Sequence, residues 1–351
     1  MIKRKLTKKI RVGKIFIGGD SPITVQTMVK TDAHDVQAVI RQIQQQEEAG
    51  CDITRMNVLD MESVRNFSKI KKAIKIPIVA DIHLNYEWAL EAIRQGVDKL
   101  RINPGNIGGI DKVKKVVRLA KERGVPIRIG VNAGSLEKDL LVRYGHPTAE
   151  ALVESAARHI KILEDLNFDQ IVVSLKASNV EKMVAAYRLF SQQFNYPAHL
   201  GVTEAGPPSV GTIVSSIGIG ALLLEGIGDT IRVSLSGDPV EEIRVGQEIL
   251  KNLELRSGPK LISCPTCSRT QYNMIPLVHQ VEKYLQKIKK PITVAVMGCV
   301  VNGPGEAREA DVGIAGGKHA GALFAKGKVV KPVKESEMFT ELVRYIEQLT
   351  A

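Results

Sequence analysis

The stretch Ile127-Arg128-Ile129-Gly130-Val131-Asn132 alternates bulky apolar side chains with polar or small ones. Successive side chains of a β-strand point to opposite faces, so Arg128 and Asn132 share one face and the β-branched residues share the other. An amphipathic stretch, Ile110–Gly124, precedes this strand, and Ala149–Leu166 follows it. Strands covered by helices turn an apolar face toward them. The pattern therefore predicts a helix-covered strand whose polar residues point into a barrel.

The same alternation of strand and helix recurs from residue 24 to residue 252. Several helical stretches end in glycine, a usual helix stop, at Gly50, Gly96 and Gly124. Eight such units are typical of a (β/α)8 barrel, an α/β fold of the TIM type. A doubly wound open sheet is the alternative, but no glycine-rich nucleotide loop follows the first strand. The predicted strands are Thr24–Met28, Asp52–Val58, Ile76–His83, Lys99–Asn103, Ile127–Asn132, Gln170–Lys176, His199–Glu204 and Thr230–Ser236.

The segment 253–260, which contains Ser257-Gly258-Pro259, has the composition of a linker. We therefore predict three parts: a barrel at 1–252, this linker, and a small α/β domain at 261–351. In the small domain the sequence predicts a helix near Met274–Lys289, strands at Ile292–Met297, Asp311–Ala315 and Ala322–Lys326, and a closing helix at Glu335–Leu349.

Composition restricts the classes of partner. Lysine and arginine number 49 against 38 aspartates and glutamates, a net charge of +11 in 351 residues, which favours an anionic partner. Aromatic residues make up only 4%, too few for base-stacking platforms, so we expect no nucleic-acid partner. Four cysteines do not suggest a disulfide framework, and no signal peptide or bilayer-spanning apolar run is apparent. The sequence predicts a cytoplasmic protein without a membrane partner.

Strand alternation places a set of polar side chains inside the barrel. The inward pairs are Arg55 with Asn57, Asp81 with His83, Arg101 with Asn103, Arg128 with Asn132, Ser174 with Lys176, and Arg232 with Ser234. The alternative is a purely structural role, in which the charges form an internal lattice of ion pairs. Such a lattice needs matching carboxylates, and only Asp81 and Glu204 are predicted to point inward. Unpaired buried cations repel one another, whereas arginine forks match phosphate oxygens. The pattern predicts a polyanionic ligand, and a small diphosphate or bisphosphate is the simplest compound of this kind.

Glu204 ends the seventh predicted strand, amid this positive charge. A bound anion would favour its protonated form, which makes Glu204 a candidate proton donor; the alternative is a carboxylate that only orients an arginine. His34, His146 and His319 are predicted to be surface or loop residues without compelling partners.

Three of the four cysteines lie in two short pieces, Ser263-Cys264-Pro265-Thr266-Cys267 and Gly298-Cys299-Val300-Val301-Asn302-Gly303-Pro304-Gly305-Glu306. A Cys-x-x-Cys turn brings two sulfurs together, and Cys299 follows an apolar run. Thiolates at such positions suit zinc or an iron–sulfur cluster, and the spacing favours neither. The fourth ligand would be a histidine, Glu306 or a substrate atom.

Together these pieces resemble the family of bacterial 4-hydroxy-3-methylbut-2-en-1-yl diphosphate synthases. The resemblance spans the chain and includes Val25-Gln26-Thr27-Met28, Ala80-Asp81-Ile82-His83 and Arg101-Ile102-Asn103-Pro104-Gly105-Asn106; the Cys-Val-Val-Asn-Gly-Pro-Gly-Glu run is its most specific motif. One departure is Val29-Lys30-Thr31, where the family usually has Thr-Asn-Thr.

The resemblance implies a 4Fe–4S cluster held by Cys264, Cys267, Cys299 and, at rest, Glu306. It also implies the substrate, 2-C-methyl-D-erythritol 2,4-cyclodiphosphate, and reduced flavodoxin or ferredoxin as electron donor. Glu204 matches the acid–base residue. The residues that match the diphosphate site are Arg55, Arg101, Arg128, Lys176, Arg232 and Ser234, with His83 and Asn132 nearby.

Two rival classes stay open on the residues alone. One is a barrel lyase or transferase with a phosphate ligand and a structural zinc domain, and the other is a basic RNA-binding protein. For the enzyme, a short linker that leaves the barrel's opposite face cannot easily bring the small domain to its own barrel mouth. We therefore expect a head-to-tail homodimer, and the resemblance implies the same.

Overall fold

The computed structural model describes residues 2–103, 107–299, 305, 307–318 and 320–350. Contacts divide the chain into two compact units, Met1–Leu255 and Arg256–Ala351. The strands of the first unit are β1 (Ile10–Val12), β2 (Ile15–Ile17), β3 (Thr24–Val25), β4 (Thr54–Asn57), β5 (Ile78–Asp81), β6 (Lys99–Ile102), β7 (Ile127–Asn132), β8 (Ile171–Lys176), β9 (His199–Leu200) and β10 (Thr230–Ile231). Its helices are α1 (Val36–Glu48), α2 (Met61–Arg65), α3 (Phe67–Ala73), α4 (Tyr86–Arg94), α5 (Ile110–Arg123), α6 (Lys138–Tyr144), α7 (Ala149–Glu164), α8 (Val180–Gln193), α9 (Pro208–Leu224) and α10 (Pro239–Asn252), with a 3-10 turn at Ala133–Ser135.

Strands β3 to β10 form a closed parallel ring. β4 to β8 pair in chain order, and β10 pairs with both β9 and β3. Two parallel bridges, Gln26 to Ile53 and Val173 to Ala198, join these two sheets at both edges. The predicted (β/α)8 barrel is confirmed, and the open-sheet alternative is wrong because no free edge is left between β3 and β4 or between β8 and β9.

Seven of the eight predicted barrel strands are shorter in the structure, and three of them are much shorter. Regular pairing covers only two residues each of β3, β9 and β10, although isolated bonds extend it: Gln26 N donates to Ile231 O (2.8 Å) and Arg232 N to Leu200 O (2.9 Å). At Gly201 a β-carbon would lie 2.5 Å from the carbonyl oxygen of Arg232. The backbones therefore approach too closely at this point for a side chain, and regular pairing of the predicted strand His199–Glu204 stops at Leu200.

The N-terminal hairpin of β1 and β2 closes one end of the barrel. Val12 and Ile17 of the hairpin form a buried cluster with Ile53 and Val79, which precede the polar positions of β4 and β5. This end lies at the amino termini of the strands. The polar side chains therefore face the opposite, carboxyl end, where barrel enzymes carry their active sites.

The second unit is a five-stranded sheet with helices on one face. Its elements are β11 (Lys260–Ser263), β12 (Thr293–Met297), β13 (Val312–Gly316), β14 (Ala320–Ala325), β15 (Lys328–Lys334), α11 (Met274–Leu285) and α12 (Met338–Thr350), with a 3-10 turn at Glu335–Glu337. β11 to β13 are parallel, and β14 and β15 are antiparallel additions. The sequence analysis did not predict β15 or β11, because β15 is largely exposed and rich in lysine, and β11 begins at the predicted linker. No helix in the described ranges is long and apolar enough to cross a bilayer.

Candidate functional site

Basic side chains fill the middle of the barrel. Arg101 of β6 lies in register with Asp81 of β5 on one side and with Arg128 of β7 on the other. Arg55, Arg128 and Arg232 are each at least 91% buried. The predicted inward direction of these strand residues agrees with their contacts, since Arg55 and Arg101 both reach Asp81. The polar set is therefore a real interior layer.

Asp81 is the carboxylate shared by this layer. Its oxygens lie 3.3 Å from Arg55 Nε, 3.0 Å from Arg101 Nη1 and 3.6 Å from His83 Nε2. Burial alone would raise the pKa of Asp81, but the two guanidinium groups hold it well below its usual value. Asp81 therefore stays ionised and fixes the positions of both arginines.

A second buried carboxylate, Glu242, corrects the predicted count of inward acids. It belongs to the first turn of α10, and its oxygens lie 3.5 Å from Arg232 Nη2 and 3.0 Å from Lys30 Nζ. Strand alternation missed it because the residue lies on a helix. Glu204, which the sequence analysis counted as inward, is exposed instead. The lattice of ion pairs is thus partly present, but it is incomplete.

Several cationic groups have no such partner among the described residues. Nε and Nη1 of Arg128 and Nζ of Lys99 are buried without hydrogen bonds. Burial lowers the pKa of Lys99 well below its usual value, and the nearby guanidinium groups of Arg128 and Arg55 lower it further. Lys99 was not among the predicted site residues, although it shares a face with Arg101 on the predicted strand. Within the described part of the chain, Asp81 and Glu242 leave this layer with excess positive charge.

The other predicted ligand-binding residues line the barrel nearer its mouth. Burial, together with Arg232, Arg55, Arg128 and Arg101, lowers the pKa of Lys176 well below its usual value. The hydroxyl of Ser234 is buried and without a hydrogen bond among the described residues. The side chain of His83 is 55% exposed, and its Nδ1 accepts a hydrogen bond from Arg101 Nη1 at 3.1 Å.

Asn132 has a local structural task at the same end of the barrel. Its Oδ1 accepts a hydrogen bond from the N–H of Gly134 (3.0 Å), which caps the 3-10 turn after β7. That bond leaves the amide nitrogen of Asn132 as the group that can face a ligand.

Glu204 lies in the loop after β9 with φ of 55°, in the left-handed region that non-glycine residues seldom adopt. Residues held in such conformations cluster at functional sites, because the surrounding structure must maintain them. An exposed carboxylate at the strands' carboxyl end is accessible to a ligand. This position is compatible with a proton donor, and no ion pair joins Glu204 to an arginine among the described residues.

His34 was predicted to have no compelling partners, and this was wrong. Its Nδ1 lies 2.8 Å from Asp32 and its Nε2 lies 2.8 Å from Asp60. The hydrogen bonds to Asp60 and Asp32 raise the pKa of His34 to about 9. The imidazolium therefore joins the loop after β3 to the N-terminus of α2. His146 lies in a loop, and His319 lies outside the described residues.

The cysteines lie at the carboxyl ends of two adjacent parallel strands. Cys264 follows β11 and Cys299 follows β12 two residues after its end, and the N–H of Gly298 donates to Cys264 Sγ at 3.1 Å. Cys264 and Cys299 are partly buried and Cys267 is exposed. Hydrogen bonds from the backbone and side chain of Arg269 lower the pKa of the Cys267 thiol.

The potential ligand atoms of this second site are cysteine sulfurs, which are soft donors. Three thiols on two neighbouring loops, one of them already accepting an N–H bond, fit zinc or an iron–sulfur cluster. Among the described residues, no group of three histidine, cysteine, aspartate or glutamate side chains is close enough together to hold a metal ion. Glu306, the predicted fourth ligand, lies outside the described residues.

Comparison with solved structures supports the barrel alone. A dihydropteroate synthase from Yersinia pestis superposes with a TM-score of 0.51 at 12% identity, covering 70% of this chain and 98% of that one. At this identity the likeness extends to the fold and not to the activity.

The similarity found by comparing sequences is much closer. The chain matches the GcpE TIM-barrel domain over residues 7–247 and the GcpE protein C-terminal domain over residues 260–348. It is 58% identical over 349 residues to the 4-hydroxy-3-methylbut-2-en-1-yl diphosphate synthase (flavodoxin) of Clostridium perfringens, covering 99% of this chain and 100% of that one. The enzyme of the same name from Geobacter sulfurreducens is 57% identical, with 98% of each chain covered. The chain therefore belongs to the GcpE family.

Proposed function

We propose that this chain is a 4-hydroxy-3-methylbut-2-en-1-yl diphosphate synthase, which opens and dehydrates 2-C-methyl-D-erythritol 2,4-cyclodiphosphate with two electrons. The observation that carries the proposal is the excess of buried cationic groups in the barrel of a chain 58% identical to a relative of that name. Such an excess is costly in an empty barrel, and a diphosphate relieves it.

The barrel residues bind the diphosphate in this proposal. Arginine forks donate two hydrogen bonds to phosphate oxygens, and a hydroxyl and an ammonium add further donors. Two nitrogens of Arg128 and the hydroxyl of Ser234 have no hydrogen-bond partner among the described residues, which supports this role. The proposed set is Arg55, Arg101, Arg128, Lys176, Arg232 and Ser234, with His83 and Asn132 beside it.

Glu204 is the proposed proton donor. In the reaction the ring bond between carbon and phosphate oxygen breaks, a hydroxyl leaves as water, and two electrons complete the allylic diphosphate. A hydroxyl leaves readily only when it is protonated, so a carboxyl group beside the bound anion can supply the proton. Its exposure and its strained backbone conformation support this role.

Cys264, Cys267 and Cys299, with Glu306, are the proposed ligands of a 4Fe–4S cluster. When bound, the cluster would supply single electrons and a Lewis-acidic iron. The chain's part is to present three thiolates from strand ends, and the N–H bond to Cys264 and the lowered pKa of Cys267 favour the thiolate form.

The electron donor in this proposal is a flavodoxin, the word in the relatives' names, or a ferredoxin. Both are typically acidic, so the chain's charge of +11 suits either partner. A cytoplasmic location is part of the same proposal. We also keep the predicted division into 1–252, a linker at 253–260, and 261–351.

The test is anaerobic turnover of the cyclodiphosphate with a reductant, together with metal analysis. The proposal expects iron and sulfide and formation of the allylic diphosphate. Zinc without iron would instead favour a lyase or transferase with a structural zinc domain. Tight RNA binding with steep salt dependence and no turnover would favour the RNA-binding class.

A head-to-tail homodimer is the proposed assembly, in which each cluster domain completes the partner's barrel. A mixing experiment tests it. Glu204→Gln and Cys299→Ser are each expected to be inactive alone. If sites form between subunits, random exchange should restore roughly a quarter of wild-type activity, because each heterodimer has one intact site. No recovery after verified subunit exchange would refute this assembly.

A further inference from the structure

Lys30 joins two loops at the carboxyl end of the barrel. It follows β3, and its Nζ donates to the carbonyl oxygens of Leu235 (2.9 Å) and Gly237 (2.5 Å), which precede α10. The same Nζ lies 3.0 Å from Glu242 Oε1. The side chain of Lys30 thus has a defined position beside the barrel site.

Glu242 is shared between two cations. Its Oε2 accepts from Thr27 Oγ1 (2.7 Å), and its Oε1 accepts from the N–H of Leu235 (3.1 Å). Oε1 also lies 3.5 Å from Arg232 Nη2, a longer separation than its 3.0 Å from Lys30. Since Glu242 is fully buried, its charge must be balanced by these neighbours. Because its contact is the shorter one, Lys30 contributes most of the positive charge that balances Glu242.

Arg232 consequently keeps hydrogen-bonding capacity that the described residues do not use. Its Nε is buried without a hydrogen bond among the described residues, and its side chain is 11% exposed. Among the described residues, Arg232 is held by one long contact, to a carboxylate that another cation already balances, so the attraction of its positive charge is only weakly used. That charge is then available to an anion in the barrel.

We propose that Lys30 is a positioning residue that balances Glu242 and so leaves Arg232 free to bind the diphosphate. This inference rests on the proposed function, because it takes Arg232 to be a diphosphate ligand. Without Lys30, Glu242 would draw Arg232 toward itself and compete with the substrate. Lys30 would then affect substrate affinity without touching the substrate.

A double-mutant cycle tests this on the anaerobically purified full-length protein. Binding of the cyclodiphosphate is measured by calorimetry without reductant, so that no turnover occurs. Lys30→Met should raise Kd about tenfold, because Arg232 becomes engaged by an unbalanced buried carboxylate. In a Glu242→Gln background the same change should raise Kd less than about twofold, since no carboxylate is left to compete.

Two further variants separate this role from general effects. Lys30→Arg should restore binding, because it keeps the cation beside Glu242. Lys9→Met removes an exposed lysine paired with Asp20, and should leave Kd unchanged. With reductant present, Lys30→Met should raise KM and leave kcat nearly intact, as expected for lost binding alone.

Three outcomes would overturn the inference. An equal loss of affinity in both backgrounds would mean that Lys30 attracts the ligand directly. Unchanged Kd in Lys30→Met would mean that the contact with Glu242 has no effect on the site. If Glu242→Gln does not fold, an Arg232→Met background serves instead, where Lys30→Met must again have no effect. Failure of the wild-type protein to bind the cyclodiphosphate would overturn the proposed function, and this inference with it.

Discussion

The guanidinium group of Arg101 occupies the space beside Gly130 that a side chain would otherwise fill. A β-carbon on Gly130 would lie 2.8 Å from Arg101 Cζ and 2.7 Å from its Nη2, while the carbonyl oxygen of Gly130 accepts from that Nη2 at 3.3 Å. The two residues are on neighbouring strands, β6 and β7. Gly130 is therefore required so that Arg101 can lie across the barrel interior and reach Asp81.

Gly130→Ala should displace Arg101 and weaken binding of the cyclodiphosphate. The loss of a charged hydrogen bond of this kind is worth roughly 1.5–3 kcal/mol, which calorimetry would measure as a rise in Kd. Gly220→Ala is a matched control, because Gly220 lies in helix α9 and a β-carbon there would have no described atom within 4 Å outside its own helix backbone and chain neighbours. Equal Kd values for both variants and the wild-type protein would mean that Arg101 does not contact the ligand.

Substrate binding should be accompanied by proton uptake at Lys176. Burial and four arginines lower the pKa of this lysine in the free protein, and a bound dianion would raise it again. The affinity for the cyclodiphosphate should therefore fall as the pH rises above the pKa that Lys176 has in the free protein. Calorimetry in buffers of different ionisation enthalpy measures the uptake, and Lys176→Met should abolish its share. An uptake unaffected by this substitution would assign the proton to another group.

Glu204→Gln should bind the cyclodiphosphate normally and lose turnover, because an amide cannot donate a proton at catalytic rates. Calorimetry and anaerobic assays measure the two properties separately. Glu225→Gln is a control, since Glu225 is an exposed glutamate that forms a surface ion pair with Arg188. Near-normal turnover of Glu204→Gln with saturating reductant would remove Glu204 from the proton-transfer role.

Serine at any one of Cys264, Cys267 and Cys299 should remove most of the iron, because three thiolates leave none to spare. The fourth cysteine, Cys51, is buried in the barrel core, and Cys51→Ala should keep the iron. Iron analysis and visible absorption measure cluster content independently of turnover. A Cys299→Ser protein with full iron content would contradict the proposed ligand set.

His34 should make stability depend on pH. Hydrogen bonds to Asp60 and Asp32 raise its pKa from 6.5 to about 9 in the folded state. A group whose folded pKa is raised contributes stability below its unfolded pKa, and that contribution is lost as the pH rises through the folded value. The denaturation midpoint of the wild-type protein should exceed that of His34→Gln below pH 6.5 and approach it above about pH 9.

His279→Gln, which removes an exposed histidine of α11, is the control for this comparison. A difference between wild-type and His34→Gln protein that stays constant across this pH range would mean that the imidazolium contributes nothing.

The sequence predicts the barrel and its interior charge because both depend on a repeat. Arg101 and Arg128 could be placed inside because their strands have bulky apolar neighbours at every second position, and a change of face would expose that apolar set. Glu242 and Lys30 could not be predicted in this way. They enter the site from a helix and a loop, where no period of two fixes direction, and their pairing joins residues 212 positions apart in sequence.

Glu204 shows a different limit. The sequence places it at the end of the seventh strand, but no local pattern predicts its exposure or its left-handed backbone conformation. The β15 strand was missed because an exposed, lysine-rich edge has no apolar alternation to detect.

The hairpin of β1 and β2 has a kinetic consequence. Because Val12 and Ile17 seal the amino-terminal end of the barrel with Ile53 and Val79, a ligand in the described interior can enter and leave only past the carboxyl ends of the strands. Arrival of one molecule must therefore wait for departure of the previous one. The allylic diphosphate should then inhibit competitively against the cyclodiphosphate, and its escape rate sets an upper limit on how fast successive turnovers can follow one another.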